Sequence, residues 1–138
     1  MKTGLFFGSF NPVHIGHMVI AQYILEFSDL DEIWFVVSPH NPFKEKHTLL
    51  DDRQRLHMVH LAIGENFKMR ASDFEFSLPQ PSYTINTLTH LFEKYPERDF
   101  ALLMGSDNLG GFHKWKNHER IIELCDLYIY PRPGAKKS

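Results

Sequence analysis

His14 and His17 stand three residues apart behind a turn, in the stretch Gly8-Ser9-Phe10-Asn11-Pro12-Val13-His14-Ile15-Gly16-His17. At the start of a helix, residues at this spacing reach the same side, so two imidazoles can act on one ligand. Imidazole N–H groups beside a phosphate can donate hydrogen bonds to the charge that grows on it in a transition state. Gly16, between the two, leaves no side chain where a phosphate or a ligand backbone must pass closely. Two histidines three apart are more often plain surface residues. A Gly, Phe, Pro, His, Gly and His set, all in place, is a stronger signal.

The elements that must position this pair are legible around it. Leu5 to Phe7 form an apolar run that ends in Gly8, and Ile15, Met18, Val19, Tyr23 and Ile24 recur at helix spacing over 15–27. A buried strand, a tight glycine turn and a helix make the phosphate-binding corner of a doubly wound sheet. The helix N-terminus offers unpaired N–H groups and the positive end of a dipole, which suit an anion.

The alternation then repeats. The run 32–38 reads as a buried parallel strand, and Pro39 to His47 as an irregular loop at its C-terminal end, carrying His40 and Lys44. Asp51 and Asp52 open a second helix, on which Arg53 and Arg55 read as surface charges. Residues 67–71 form a third strand, with the alternating 73–76 as an edge extension. Ser82-Tyr83-Thr84 starts a third helix, where Ser82 or Thr84 would cap. A fourth strand over 99–104 runs into Gly105-Ser106-Asp107. Asn117 caps a helix over 118–124, and 127–130 is the fifth strand. This order predicts an α/β fold: a Rossmann-like, doubly wound, five-stranded parallel sheet ordered 3-2-1-4-5, as one domain over 1–138. The corners after strands one and four then build a nucleotide site.

Further residues bear on chemistry. Asp107 suits hydrogen bonding to ribose hydroxyls, and serves equally as a helix cap. Trp115 lies between Lys114 and Lys116, whose charges need water. A wet tryptophan there could stack on a planar ring while a lysine approaches a phosphate. His57 and His60 have a metal-pair spacing alone, with no HExxH glutamate and no third ligand in a sensible place, so no protein metal site is expected.

The 138 residues carry a formal net charge of −2, which argues against a general nucleic-acid or membrane-surface binder. An anionic ligand must therefore be held by local donors. The lone Cys125, in an apolar helical run, reads as a core residue and fits a reducing compartment. The N-terminal apolar run is too short for a signal peptide, and no segment is long enough to span a bilayer. A cytoplasmic location is expected.

Residues 8–17 resemble the G-x-F-x-P-x-H-x-G-H signature of the HIGH-type nucleotidyltransferase superfamily. Later segments resemble one branch, the bacterial nicotinate-mononucleotide adenylyltransferases, which act in NAD biosynthesis. They join ATP and nicotinate mononucleotide into nicotinate adenine dinucleotide and release pyrophosphate. The resemblance implies that Gly8, Ser9, Phe10, His14, Gly16 and His17 bind ATP, together with Gly105 and Asp107 from a G-x-D motif that holds the adenosine ribose. It implies catalytic roles for His14, His17 and Lys44 on phosphate charge. It assigns the acceptor to His40, Lys44, Tyr83, Thr84 and Trp115, the last stacking on the pyridine ring. Mg2+ would arrive with ATP, held by phosphate oxygens and water.

Members of that branch continue into an I-S-S-T-x-x-R segment that grips the ATP phosphates, whereas this sequence stops at Lys137-Ser138. A C-terminally truncated domain is the expectation. Two other readings stand beside the first. One is a HIGH-type enzyme with a phosphopantetheine or polyol phosphate acceptor, and the other is a module that binds nucleotide without turnover. Homo-oligomerisation and the choice between nicotinate and nicotinamide are left open by the residues.

Overall fold

Along the apolar strands, successive side chains point to opposite faces, so each uninterrupted run feeds two cores at once. In the computed structural model, which describes residues 1–39 and 50–131, this sorting is complete. Five strands, β1 (Lys2–Gly8), β2 (Glu32–Val37), β3 (Met69–Ser72), β4 (Asp99–Gly105) and β5 (Asp126–Tyr130), form one sheet ordered β3-β2-β1-β4-β5. All four pairings are parallel. The expected α/β architecture and strand order are what the structure has.

The helices are α1 (Ile15–Phe27), α2 (Asp52–Ile63), α3 (Thr84–Lys94), the single turn α4 (Ser106–Leu109) and α5 (His118–Leu124). One core combines Phe6, Ile33, Phe35, Val37, Ala101 and Leu103 from the sheet with Ala21 and Ile24 of α1 and Val59 of α2. The other combines Leu5, Trp34, Val36, Phe100, Leu102 and Met104 with Ile85, Leu88 and Leu91 of α3 and Ile121 of α5. Cys125 is buried in this second core, as its surroundings in the sequence suggest.

Three local expectations change. On α1, Ala21 and Ile24 make the packing face, while Ile15, Val19, Tyr23 and Phe27, four residues apart in turn, are exposed. The apolar spacing predicts the helix but not which stripe is covered. Residues 73–76 do not extend the edge strand, since Phe74–Ser77 form a 3-10 turn with Glu75 buried inside. Arg55 is not a surface charge, being fully buried.

Glu75 is the acid most affected by the fold. Burial raises its carboxyl above the ordinary range, opposed by the hydroxyls of Thr87, Ser38 and Ser82. The Thr87 hydroxyl donates to Oε2 at 2.7 Å. A carboxyl whose pKa is higher folded than unfolded binds more protons in the native state. Stability then falls as pH rises from the unfolded pKa, about 4.3, through the higher folded value. Glu75→Gln, which cannot ionise, is expected to match the wild type near the lower end of that window and to melt higher at pH 8. Thermal melts of both proteins from pH 4.5 to 8 check this, and a Gln variant that melts lower at pH 8 would sink it.

Candidate active site

The switch point of this sheet lies at β1, with β2 on one side and β4 on the other. Crevices at the carboxyl ends of strands beside such a point are where open α/β sheets take ligands. A cleft of about 720 Å³ opens there. Gly8, Ser9, Phe10, Asn11, His14, Gly16 and His17 line it, together with Asn108 after β4 and Tyr130 at the end of β5. No carboxylate is among its described lining residues, so nothing there repels an anion through a full negative charge.

Phe10 shapes the floor. Its φ is +49°, a left-handed backbone that is an outlier for a bulky residue and costs on the order of 1–3 kcal/mol. Burial of the ring returns about 1.5–3 kcal/mol, and its edge-on contacts add to that. They fall on Phe6 at 5.5 Å and His17 at 5.0 Å between centroids. Gly8 lets the ring lie close: a Cβ on it would be 3.1 Å from the Phe10 ring, which would then have to give way slightly. The His17 imidazole thus rests on an aromatic wall.

The two histidines cap α1 reciprocally. His14 is the N-cap, and its Nδ1 accepts the Gly16 N–H at 3.1 Å. The His14 N–H in turn donates to His17 Nδ1 at 3.0 Å. The rings lie 3.8 Å apart between centroids, tilted by 30°. A neutral imidazole has one N–H, and the nitrogen that accepts cannot carry it. Both rings are therefore Nε2–H tautomers when neutral, so that Nε2 is the atom from which each ring donates. A capping device has fixed the tautomer of two candidate phosphate donors.

The remaining predicted residues divide into groups. Gly105 ends β4 and is buried, and Asp107 is exposed on α4. It is the neighbouring Asn108, which the sequence does not single out, that lines the cleft. Tyr83 is the N-cap residue of α3, half exposed, and Thr84 is its first residue. The Lys116 ammonium sits 4.6 Å above the Tyr83 ring, which brings the turn after Trp115 to the start of α3. Trp115 is partly buried rather than wet, packed on Phe112 at 5.2 Å. Tyr83, Thr84 and Trp115 do not line the cleft of the histidines. His40 and Lys44 lie outside the described residues.

Arg55 is the residue that sequence reasoning missed. Its guanidinium donates to the carbonyls of Ser9, Ser38 at 2.8 Å and Leu50 at 2.9 Å, and to the Asp52 carboxylate. Its place one turn into a helix that follows a strand in sequence does not separate it from Arg53, two residues earlier.

Comparison with known proteins adds to this geometry. Residues 5–137 match the model of the cytidylyltransferase-like family. A Flavobacterium johnsoniae protein named "Probable nicotinate-nucleotide adenylyltransferase" is 60% identical over 132 residues, covering 96% of this chain and 68% of its own length. A protein of the same name from Cytophaga hutchinsonii is 56% identical over 138 residues, covering all of this chain and 72% of its own. Among solved structures, the Plasmodium falciparum nicotinic acid mononucleotide adenylyltransferase complexed with NaAD has a TM-score of 0.84 at 22% identity. The match covers 99% of this chain and 67% of that one, a likeness that speaks for the fold.

Gly16 gives this geometry a direct test. Alanine is favoured over glycine in a helix by about 1 kcal/mol, yet a Cβ here would meet the His14 ring, 2.9 Å from Cε1 and 3.0 Å from Nδ1. The ring can swing away only by losing the Gly16 N–H. Gly16→Ala is expected to stay folded and to lose the fixed Nε2–H tautomer of His14. Imidazole 15N shifts read this directly, and an unaltered His14 tautomer would contradict the capping assignment.

Proposed function

The chain belongs to the cytidylyltransferase-like family, and we propose that it transfers the adenylyl group of ATP to nicotinate mononucleotide. Nicotinate adenine dinucleotide forms and pyrophosphate leaves. The observation that carries this reading is the capped histidine pair in a cleft free of carboxylates among its described lining, at the start of a 13-residue helix. Relatives 55–60% identical that carry the matching name support the choice of acceptor.

In this mechanism a phosphate oxygen of the mononucleotide attacks the α-phosphorus of ATP. The bond from that phosphorus to the bridging oxygen of the β-phosphate breaks, and both electrons leave with pyrophosphate. Such a transfer asks the protein for positioning and for stabilisation of charge on the transferred group, and needs no protein nucleophile. His14 and His17 donate from Nε2 to the phosphate oxygens as charge shifts onto them. The N-terminal end of α1 adds a partial positive charge on the same side. Gly8, Ser9 and Phe10 shape the passage for the triphosphate, while Gly105 and Asp107 place the adenosine. Lys44 and His40, which follow β2 in sequence, would bring further charge to the phosphates. Tyr83, Thr84 and Trp115 take the pyridine ring of the acceptor, and the Lys116 ammonium above Tyr83 suits a carboxylate there.

A divalent cation, Mg2+ in this reading, accompanies ATP and offsets the charge of its phosphates. Among the described residues no three His, Cys, Asp or Glu side chains come together as a cage for it. Phosphate oxygens and water are the ligands that such an ion prefers to keep. No helix of the described residues is long and apolar enough to cross a membrane.

His17→Ala is expected to lower kcat by roughly 10²–10³-fold with a small change in KM, because a donor used mainly in the transition state is lost. Steady-state release of pyrophosphate measures this. The same assay, run on the wild type with nicotinate mononucleotide, nicotinamide mononucleotide, phosphopantetheine or glycerol 3-phosphate as the one acceptor in turn and compared by kcat/KM, tests the acceptor. Preference for phosphopantetheine or the polyol phosphate would replace the proposed substrate, and nucleotide binding without turnover would replace the activity.

A further inference from the structure

The ladder between β1 and β2 ends where the Ser38 N–H donates to the Gly8 carbonyl at 2.9 Å. One residue further, the chain turns away on both sides, and the carbonyls of Ser9 and Ser38 have no strand left to accept from. Both accept from Nη1 of Arg55, while Nε donates to the Leu50 carbonyl at 2.9 Å. The Leu50 N–H donates in turn to Asn11 Oδ1 at 2.9 Å. One planar group therefore ties the turn before His14 to the end of β2 and to the entry of α2. We propose that Arg55 is a positioning residue for the histidine pair, its buried guanidinium setting where the turn after β1 holds His14 and His17 in the cleft.

Charge alone does not explain a buried arginine here. The Asp52 carboxylate pairs with Nη2, so the pair brings little net charge to the anion site above it. What remains is geometry. A guanidinium fixes several acceptors in one plane through a rigid fork, whereas a lysine ammonium is a point with rotating donors. Lysine retains the charge and the pairing with Asp52, but cannot reach the Ser9, Ser38 and Leu50 carbonyls together. The effect of losing the fork should therefore fall on orientation in the transition state more than on nucleotide affinity.

The kinetic arm of the test rests on the proposed adenylyl transfer, and a spectroscopic arm stands apart from it. Arg55→Lys is compared with Val59→Ala, which removes a fully buried side chain one turn further along α2 and lowers stability through the core. In Arg55→Lys, the Cε1–H resonances of His14 and His17 are expected to shift. A displacement on the order of 1 Å corresponds to a fall in kcat of about 10²-fold, with KM for ATP held within about threefold. Val59→Ala, assayed at a temperature where both are folded, should keep the histidine resonances and kcat of the wild type. The proposal is overturned if Arg55→Lys leaves the resonances and kcat unaltered. It is equally overturned if Val59→Ala moves them as far, or if Arg55→Lys does not fold, since Arg55 would then serve the scaffold alone. If the wild type turns over no acceptor, the functional reading fails, and the resonance comparison still decides the role of Arg55.

Discussion

A parallel sheet has a problem at its carboxyl edge. Backbone groups are paired along the strands, but the last carbonyls face the site with no further rung to accept from. Here the edge is closed by side chains from outside the sheet. Arg55 reaches up from α2 to the carbonyls of Ser9 and Ser38, and the two histidines occupy the N-terminal N–H groups of α1 with their Nδ1 atoms. Carbonyls are drawn down to a buried cation, while the two histidines, with their protons on Nε2, line the cleft. In the proposed reaction, that division of donors serves the phosphates.

Ser38 joins this arrangement to the other side of the sheet. Its carbonyl accepts from Arg55, and its hydroxyl, like that of Ser82, favours the ionised form of the buried Glu75, which accepts the Thr87 hydroxyl at 2.7 Å. Thr87 lies on α3, and Ser82 stands just before the Tyr83 N-cap. A chain of polar contacts therefore runs from the histidine turn, below the end of β2, to the start of α3 and the group around Tyr83 and Lys116. The two candidate halves of the site do not share one cleft wall, but they share a buried frame. Groups fixed in this way lose little orientation when ligands arrive, which is what in-line transfer between two substrates demands.

Much of this was readable from residue order. Continuous apolar runs followed by glycine turns and helices predict parallel strands in βα alternation, and the switch point follows from strand order. The motif from Gly8 to His17 located the cleft because it is local: strand end, turn and helix start are contiguous, and their spacing is set by backbone geometry. Cys125 was legible for a similar reason, since it follows Ile121, Ile122 and Leu124 at the end of α5.

What the tertiary structure alone decided concerns residues whose partners are distant in the chain. Arg55 and Arg53 look alike in sequence, yet one is fully buried and the other exposed. The difference is the group of carbonyls from residues 9, 38 and 50 that meet above the first. The segment with Glu75 alternates like a strand, yet it forms a turn whose buried carboxylate accepts the hydroxyl of Thr87, twelve residues on. Trp115 between two lysines reads as wet, but Phe112 and the α3–α5 core cover much of it while the lysines remain exposed. Periodicity and motif report on bonds between near neighbours and on the average need to bury apolar surface. Which polar group is buried depends on acceptors brought together by the sheet order, and no local pattern encodes that.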